Sequence, residues 1–411
     1  MASLSPSSGA SSSTPTATDS PTATRGPAVV VATDLPLQGA SAAASRATNH
    51  AIALYLKSVG YRAGRFTVIL RTYDDSAAST GAWDSTTCAR NAVRHGGNLR
   101  ELAVMGTYNS GCAKIEVPIL NQAPGGPVLM VSHSNTNPGL TSSWEPGDPN
   151  RYYPTGQRSY ARVIATDADQ GTAAARYAAS TLHVRRCVVL NDGESYGTGV
   201  AKRFRSEAER QSITIVATAT WNPQQASYRD LFGKVAAQHP DCVYLGGIYD
   251  NNGARLLADK VAVLGDNTKT KLLGPDGFTG WPDMDANPNA AGMFMTVDGL
   301  STATIAARGG AAARFIHAYE ARYGEIPSYL VIYGVAAIQV ILAAIAKSDG
   351  TRRAVTNAVF HGEGITVPAA QSVLGSQIKI DPRTGDTRDR ELTILQLTDG
   401  AERVVQSLRV S

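Results

Sequence analysis

Two matching stretches decide the fold: LAVMGTYNSGCAKIEVPIL at residues 102–120 and CVVLNDGESYGTGVAKRFRSEAER at residues 187–210. Each opens on a short apolar run suited to a buried strand. Each then breaks into a polar, glycine-bearing loop and resumes with apolar residues at helical spacing. A strand with apolar residues on both faces needs cover on both, and parallel strands obtain it from the helices that connect them. The pattern extends outward from the first stretch. A strand at 29–31 precedes an Ala-rich helix at about 40–59, a strand at 66–70 and a helix at about 80–95; a strand at 128–131 follows. From 132 to 160 the chain is rich in Asn, Pro, Gly, Ser and Tyr and has no period, which marks a functional stretch or a boundary. The alternation then restarts, with strands at 162–165, 187–190, 213–217, 242–245 and 271–273 and helices at 170–182, 197–210, 228–238 and 253–264. After 293–295 come helical segments at 309–323, 329–347 and 351–360, then a strand-rich tail at 377–380, 392–397 and 404–408. The expected fold is α/β, with two doubly wound parallel-sheet lobes.

A chain of 411 residues exceeds one ordinary core and suits two lobes with additions. Lys and Arg are scattered, with no run longer than Arg185-Arg186 or Arg352-Arg353, so the clustered charge of a nucleic-acid footprint is missing. No stretch reaches the roughly 20 apolar residues needed to span a bilayer. The segment 329–346 includes Tyr333, Gly334 and Gln339 and reads as a buried helix. Residues 1–27 are almost entirely Ser, Thr, Ala, Pro and Gly, a composition with little to bury, and read as a disordered tether. No secretory signal is visible, so an exported protein requires one upstream or already removed. Cys88, Cys112, Cys187 and Cys242 have no C-x-x-C spacing; they are four buried thiols or two disulfides, one in each half.

Ligands of open parallel sheets sit beyond the carboxyl ends of the strands. The loops there are GTYNSG (106–111), SHSNT (132–136), NDGESYG (191–197), GGIYDN (246–251) and GPDG (274–277). Each combines glycine with hydroxyl, amide, carboxylate or phenol groups. One such loop is an ordinary turn with a helix cap; five, from both halves, point to a polar site between lobes. The run GESYG at 193–197 also matches a G-x-S-x-G nucleophile elbow. A hydrolase would use Ser195 with Asp276 or Asp298 and His317 or His361, although neither histidine follows a strand. The third glycine of a dinucleotide fingerprint is replaced by Lys202, and GDNTKT at 265–270 lacks a Walker glycine. The seven histidines form no i,i+4 pair with a carboxylate, so neither a metal nor a cofactor is expected.

At these loops the chain resembles the type I periplasmic binding proteins of the leucine/isoleucine/valine class, the receptors of branched-chain amino-acid ABC importers. The likeness runs from about 29 to 406. LPLQG (35–39), NSGC (109–112), YYPTG (152–156) and GPDGFT (274–279) are similar to those of actinobacterial members. The resemblance implies three crossover strands, near 165–166, 296–299 and 377–381. The first lobe would hold 28–165 plus 299–377, and the second 166–298 plus 378–411. It implies that Ser110 and the backbone around Ser134 hold a ligand carboxylate, and that Thr136 touches carboxylate and ammonium. Tyr196 would close over the ligand and Asp276 would pair with its α-ammonium. Asn135, Ile248 and Tyr249 stand at further contact positions, with Tyr108, Asn109 and Gln38 as secondary candidates. Where the family has alanines, this chain has Ser134 and Asn135. Ile248 replaces a tyrosine, and the first loop lacks an aromatic, so the ligand's side chain is not fixed by the likeness. In this frame Cys88 and Cys112 share one side of the first lobe, and Cys187 and Cys242 open neighbouring strands.

The expected function is capture of a small solute, an amino acid or a relative of one, by hinge closure. Delivery would be to an importer permease, by a monomer outside the cytoplasm that meets the membrane only through an upstream lipid anchor. The alternative is the ligand-sensing ectodomain of a receptor or kinase.

Overall fold

The computed structural model describes residues 26–410, so the tether expected over 1–27 lies outside the described residues except for Gly26 and Pro27. The strand Ala28–Leu35 is buried after its first residue. It pairs in parallel with Phe66–Asp74 on one side and Glu101–Gly106 on the other. Leu129–Ser132 and Tyr160–Arg162 continue the sheet in parallel, and Arg62–Ala63 adds an antiparallel edge. The parallel strands therefore lie in chain order 2-1-3-4-5. The second sheet repeats that order with Arg186–Asn191, Thr214–Thr220, Cys242–Gly246, Lys271–Gly274 and Phe294–Val297. Two antiparallel strands of the tail, Arg390–Thr398 and Ala401–Val410, extend its far edge. The doubly wound α/β fold read from the sequence is the fold observed.

Local chemistry sets the element ends. The helix Asp167–Ser180 opens on a capping box, in which the Thr166 hydroxyl accepts from the Asp169 N–H and the Asp169 carboxylate accepts from that of Thr166. This fixes the chain where it leaves the first sheet. The helix expected from about 80 begins at Ser85, because Asp84 caps it by accepting from the Thr87 N–H at 2.8 Å. The residues before it form a small hairpin, Ser76–Ala77 with Ala82–Trp83. The strand expected at 162–165 lies earlier, at Tyr160–Arg162. Arg162 is fully buried there and donates to Asp386 Oδ1 (2.9 Å), the Asn135 carbonyl (2.6 Å) and Thr141 Oγ1 (2.7 Å). One arginine thus fastens the irregular 132–160 stretch to the sheet and to the tail.

Tyr329–Ala346 is long and apolar enough to cross a membrane, but 83% of it is buried inside the fold. It packs on the helix Ala42–Ser58 and on the strands Glu101–Gly106 and Leu129–Ser132, as a core helix. Gly334 permits that contact, since a Cβ there would lie 2.5 Å from Thr48 Cγ2.

Cys88 and Cys112 form a disulfide between the helices Ser85–Gly97 and Ser110–Asn121. The second expected bond does not form: Cys187 and Cys242 are buried free thiols, although they are register partners on adjacent parallel strands. Side chains at such positions run side by side at the strand spacing of about 4.8 Å, whereas a disulfide needs Cβ atoms about 3.8 Å apart. The observed bond spans 24 residues. Loop-closure entropy gives it about 3 kcal/mol. The C88A/C112A double variant should therefore melt several degrees below the parent, and reductant should lower the parent's midpoint but not the variant's.

Candidate functional site

A cleft lies between the carboxyl ends of the two sheets. From the first sheet's loops it receives Tyr108, Asn109, Ser110, Gly111 and Ser134. From the second come Glu194, Tyr196, Ile248 and the turn from Asp276 to Trp281. The start of the helix Tyr329–Ala346 closes one end with Tyr329 and Leu330. The space is partly enclosed, and polar groups and aromatic rings both line it. Hydrogen bonds cross between the halves beside it. Ser41 Oγ donates to Asp250 Oδ2 at 3.1 Å, and Asn137 Nδ2 donates to the Ser195 carbonyl at 3.4 Å.

Asp276 is the best-positioned charged group. Its Oδ1 accepts from Gln170 Nε2 at 2.5 Å and from the Tyr196 hydroxyl at 2.7 Å. Gln170 Oε1 accepts in turn from the Asp276 N–H at 3.2 Å, and the Tyr196 oxygen accepts from the Gly277 N–H at 3.0 Å. The carboxylate is thus held by one oxygen, and the other makes no hydrogen bond to another described residue. Burial raises Asp276 to about 6, against the pull of Tyr196 and Gln170. Asp167 and Asp298 lie behind the cleft wall, fully buried, with no hydrogen bond to any of their carboxylate oxygens. Burial raises Asp167 to about 8, opposed by the nearby Thr136 hydroxyl; Asp298 is raised by burial and then by Asp276.

Ser110, Ser134, Tyr196, Ile248, Asp276, Tyr108 and Asn109 all face this cleft, as the sequence suggested. Four other candidates do not line it. Asn135 is buried and turned back, with Nδ2 donating to the carbonyls of Thr107 (2.8 Å) and Tyr108 (3.2 Å), where it shapes the loop. Thr136 is buried at the passage to the second sheet, and its carbonyl accepts from the Asp167 N–H. Tyr249 packs on Phe278 and Trp281, and Gln38 donates to Asp74 Oδ2 at 2.8 Å. Gln170, Glu194, Thr279, Trp281 and Tyr329 were not foreseen. Glu194 and Thr279 lie inside quoted loops, but Gln170 and Tyr329 are on helices with no local signal.

The hydrolase reading does not assemble. Ser195 Oγ is buried and makes no hydrogen bond, to a histidine or otherwise. His317 is 78% exposed on an outer helix, and His361 is exposed too. Asp34, His95 and Glu116 come within 4.8 Å of one another, and the two ring nitrogens of His95 are engaged by Asp34 and Glu101.

Two sheets of equal winding that meet over a polar cleft define the bilobed solute-binding class. Residues 28–401 match the family described as periplasmic binding protein, and the chain belongs to that family. It is 26% identical over 268 residues to the Leu/Ile/Val-binding protein BraC3 of Rhizobium johnstonii, covering 65% of this chain and 66% of that one. It is 27% identical over 153 residues to the leucine-specific-binding protein of Salmonella typhimurium, covering 36% of each. The matched stretches thus span less than two thirds of these relatives. Among solved structures, a leucine binding protein of Thermotoga maritima superposes with a TM-score of 0.75 at 21% identity, covering 92% of this chain and 98% of its own. An R. palustris solute binding protein in complex with benzoate gives 0.74 at 18%, covering 93% and 98%.

Proposed function

We propose that this chain is an extracytoplasmic solute-binding protein that captures an α-amino acid or a close relative by hinge closure and delivers it to an ABC importer, without catalysis. The observation that carries this reading is the placement of Ser110 and Ser134 opposite Tyr196 and Asp276 across one cleft. Neutral donors at the start of the helix Ser110–Asn121 suit a carboxylate. The unbonded oxygen of Asp276 suits an ammonium. Closure is favoured by whatever contacts the ligand makes to both halves at once. The division expected from the resemblance, 28–165 plus 299–377 against 166–298 plus 378–411, is kept with one adjustment. Ile378–Lys379 pairs with Thr366–Val367, which supports a third passage after residue 380.

The test is a thermal-shift panel of L-amino acids on the full chain, with titration calorimetry of the hits. A ligand at a hundred times its Kd should add about 2.7 kcal/mol of stability. A panel in which no α-amino acid shifts the midpoint overturns the reading. Binding should also depend on pH. An ammonium selects the ionised Asp276, so affinity is full above the pKa of about 6 and falls as pH drops through it. Between about pH 7 and pH 5 the loss should be roughly tenfold. A flat profile for the tightest amino acid would remove Asp276 as the ammonium partner.

A further inference from the structure

The charge of the cleft is one-sided. A small side cavity continues behind Asn109, Glu194 and Ile248, walled by Ser41, Trp83, Asp250 and Asn251. Across the cleft and this extension the titratable groups with acidic character are Asp276, Glu194 and Asp250, and among the described residues no Lys, Arg or His lines either space. Read with an α-amino acid in the cleft, Asp276 is used by the α-ammonium and the Ser110 side by the α-carboxylate. Glu194 and Asp250 are then left over.

Neither of these two carboxylates forms an ion pair with a described residue. Asp250 accepts one hydrogen bond, from Ser41, and Glu194 sits beside the Trp83 indole. Both are half-buried, and burial raises both above the ordinary carboxylate range. Three acids elsewhere do have an arginine partner: Glu207 has Arg176, Asp259 has Arg255 and Glu391 has Arg308, each within 3.0 Å. The side cavity is also composite. Ser41, Trp83 and Asn109 come from the first-sheet half, and Glu194, Ile248 and Asp250 from the second. Its walls meet only when the halves are together. Closure therefore partly desolvates two carboxylates with no countercharge from a described residue, a cost that a cationic ligand would offset. Aromatic faces are at hand for such a group, with Trp83 in the side cavity and Tyr108 and Trp281 in the cleft.

We infer that the solute is an α-amino acid with a cationic side chain, whose second positive group enters the side cavity between Glu194 and Asp250. This rests on the amino-acid reading above. It adds that the side-chain charge stabilises the closed form over the open one, so neutral amino acids close it less well.

The experiment is calorimetric titration of the full chain with L-lysine, L-ornithine and L-arginine, against L-norleucine and L-leucine, with benzoate as an anionic control. At least one basic amino acid should bind ten times tighter than either neutral one, and benzoate should not bind. In Glu194→Gln and Asp250→Asn the ratio of basic to norleucine affinity should fall about tenfold, with the thermal midpoint of each variant confirming its fold. Added salt should weaken the basic ligand more than L-norleucine. If L-norleucine or L-leucine equals the best basic ligand, or the ratio survives both substitutions, the inference is overturned and the amino-acid reading stands. If no α-amino acid of either kind binds, the amino-acid reading itself fails and the inference falls with it.

Discussion

Replacing Asp276 with alanine is expected to weaken amino-acid binding at least about thirtyfold and, at neutral pH, to make the ligand-free protein no less stable. The first half follows from the countercharge. A ligand ammonium enclosed by Tyr108, Tyr196, Trp281 and Tyr329 has left water. Removal of its carboxylate costs about 2–5 kcal/mol. The second half follows from the sign of the titration. Burial raises the folded-state pKa of Asp276 from 3.8 to about 6. The folded chain therefore holds this proton more tightly than the unfolded one, and the contribution to stability falls as pH rises through that window. Above it the ionised carboxylate is a cost of at most about 3 kcal/mol. Asp276→Asn tests this cleanly, because the amide oxygen can still accept from Gln170 and Tyr196. Its ligand-free midpoint at about pH 7.5 should match or exceed the parent's, while affinity falls at least tenfold. A residue kept at the expense of stability and needed for binding is a functional one. A variant that melts early and binds normally would instead make Asp276 a structural acid.

Much of this site was legible because its loops follow strands, and strands of this kind announce themselves by short apolar runs. Which residue of a loop faces the ligand was less legible. Ser134 reaches the cleft, while Asn135 turns to the carbonyls of Thr107 and Tyr108, since neighbouring residues of an extended loop point opposite ways. Thr136 and Gln38 do not line the cleft either: the resemblance supplies positions along the chain, and the local backbone decides directions. Gln170 was invisible because its partner Asp276 is 106 residues away, and nothing in a capped helix start marks an amide for that use. The free cysteines show the converse. Neighbouring strands were inferred correctly, but strand spacing then forbids the bond that proximity seemed to offer.

His95 carries the largest expected effect on stability. It sits with Asp34, Asp75, Glu101 and Glu116, all buried, under the first sheet's central strands. Nε2 lies 3.0 Å from Asp34, Nδ1 contacts Glu101, and the Tyr73 ring covers one face at 4.3 Å. Burial alone would lower His95, but the two carboxylates outweigh it and hold the ring protonated to about 9. Asp75 and Glu116 are also raised, by burial and then by the charge of Asp34. The imidazolium is thus a cation placed between two buried carboxyl groups in a dry core. In His95→Gln the shape is nearly kept and the charge is lost. An uncompensated buried charge costs about 3–5 kcal/mol, and a domain of this size loses roughly 2–4 °C for each. The midpoint at neutral pH should therefore fall by about 10 °C. The parent has a second signature. A histidine raised from 6.5 contributes stability that is full below that value and lost as pH rises through about 9. The parent's midpoint should accordingly drop between about pH 7 and pH 9.5, and the His95→Gln variant should lack that component of the slope. A variant that melts with the parent at neutral pH, or keeps its alkaline slope, would show that His95 is not the cation that steadies this cluster.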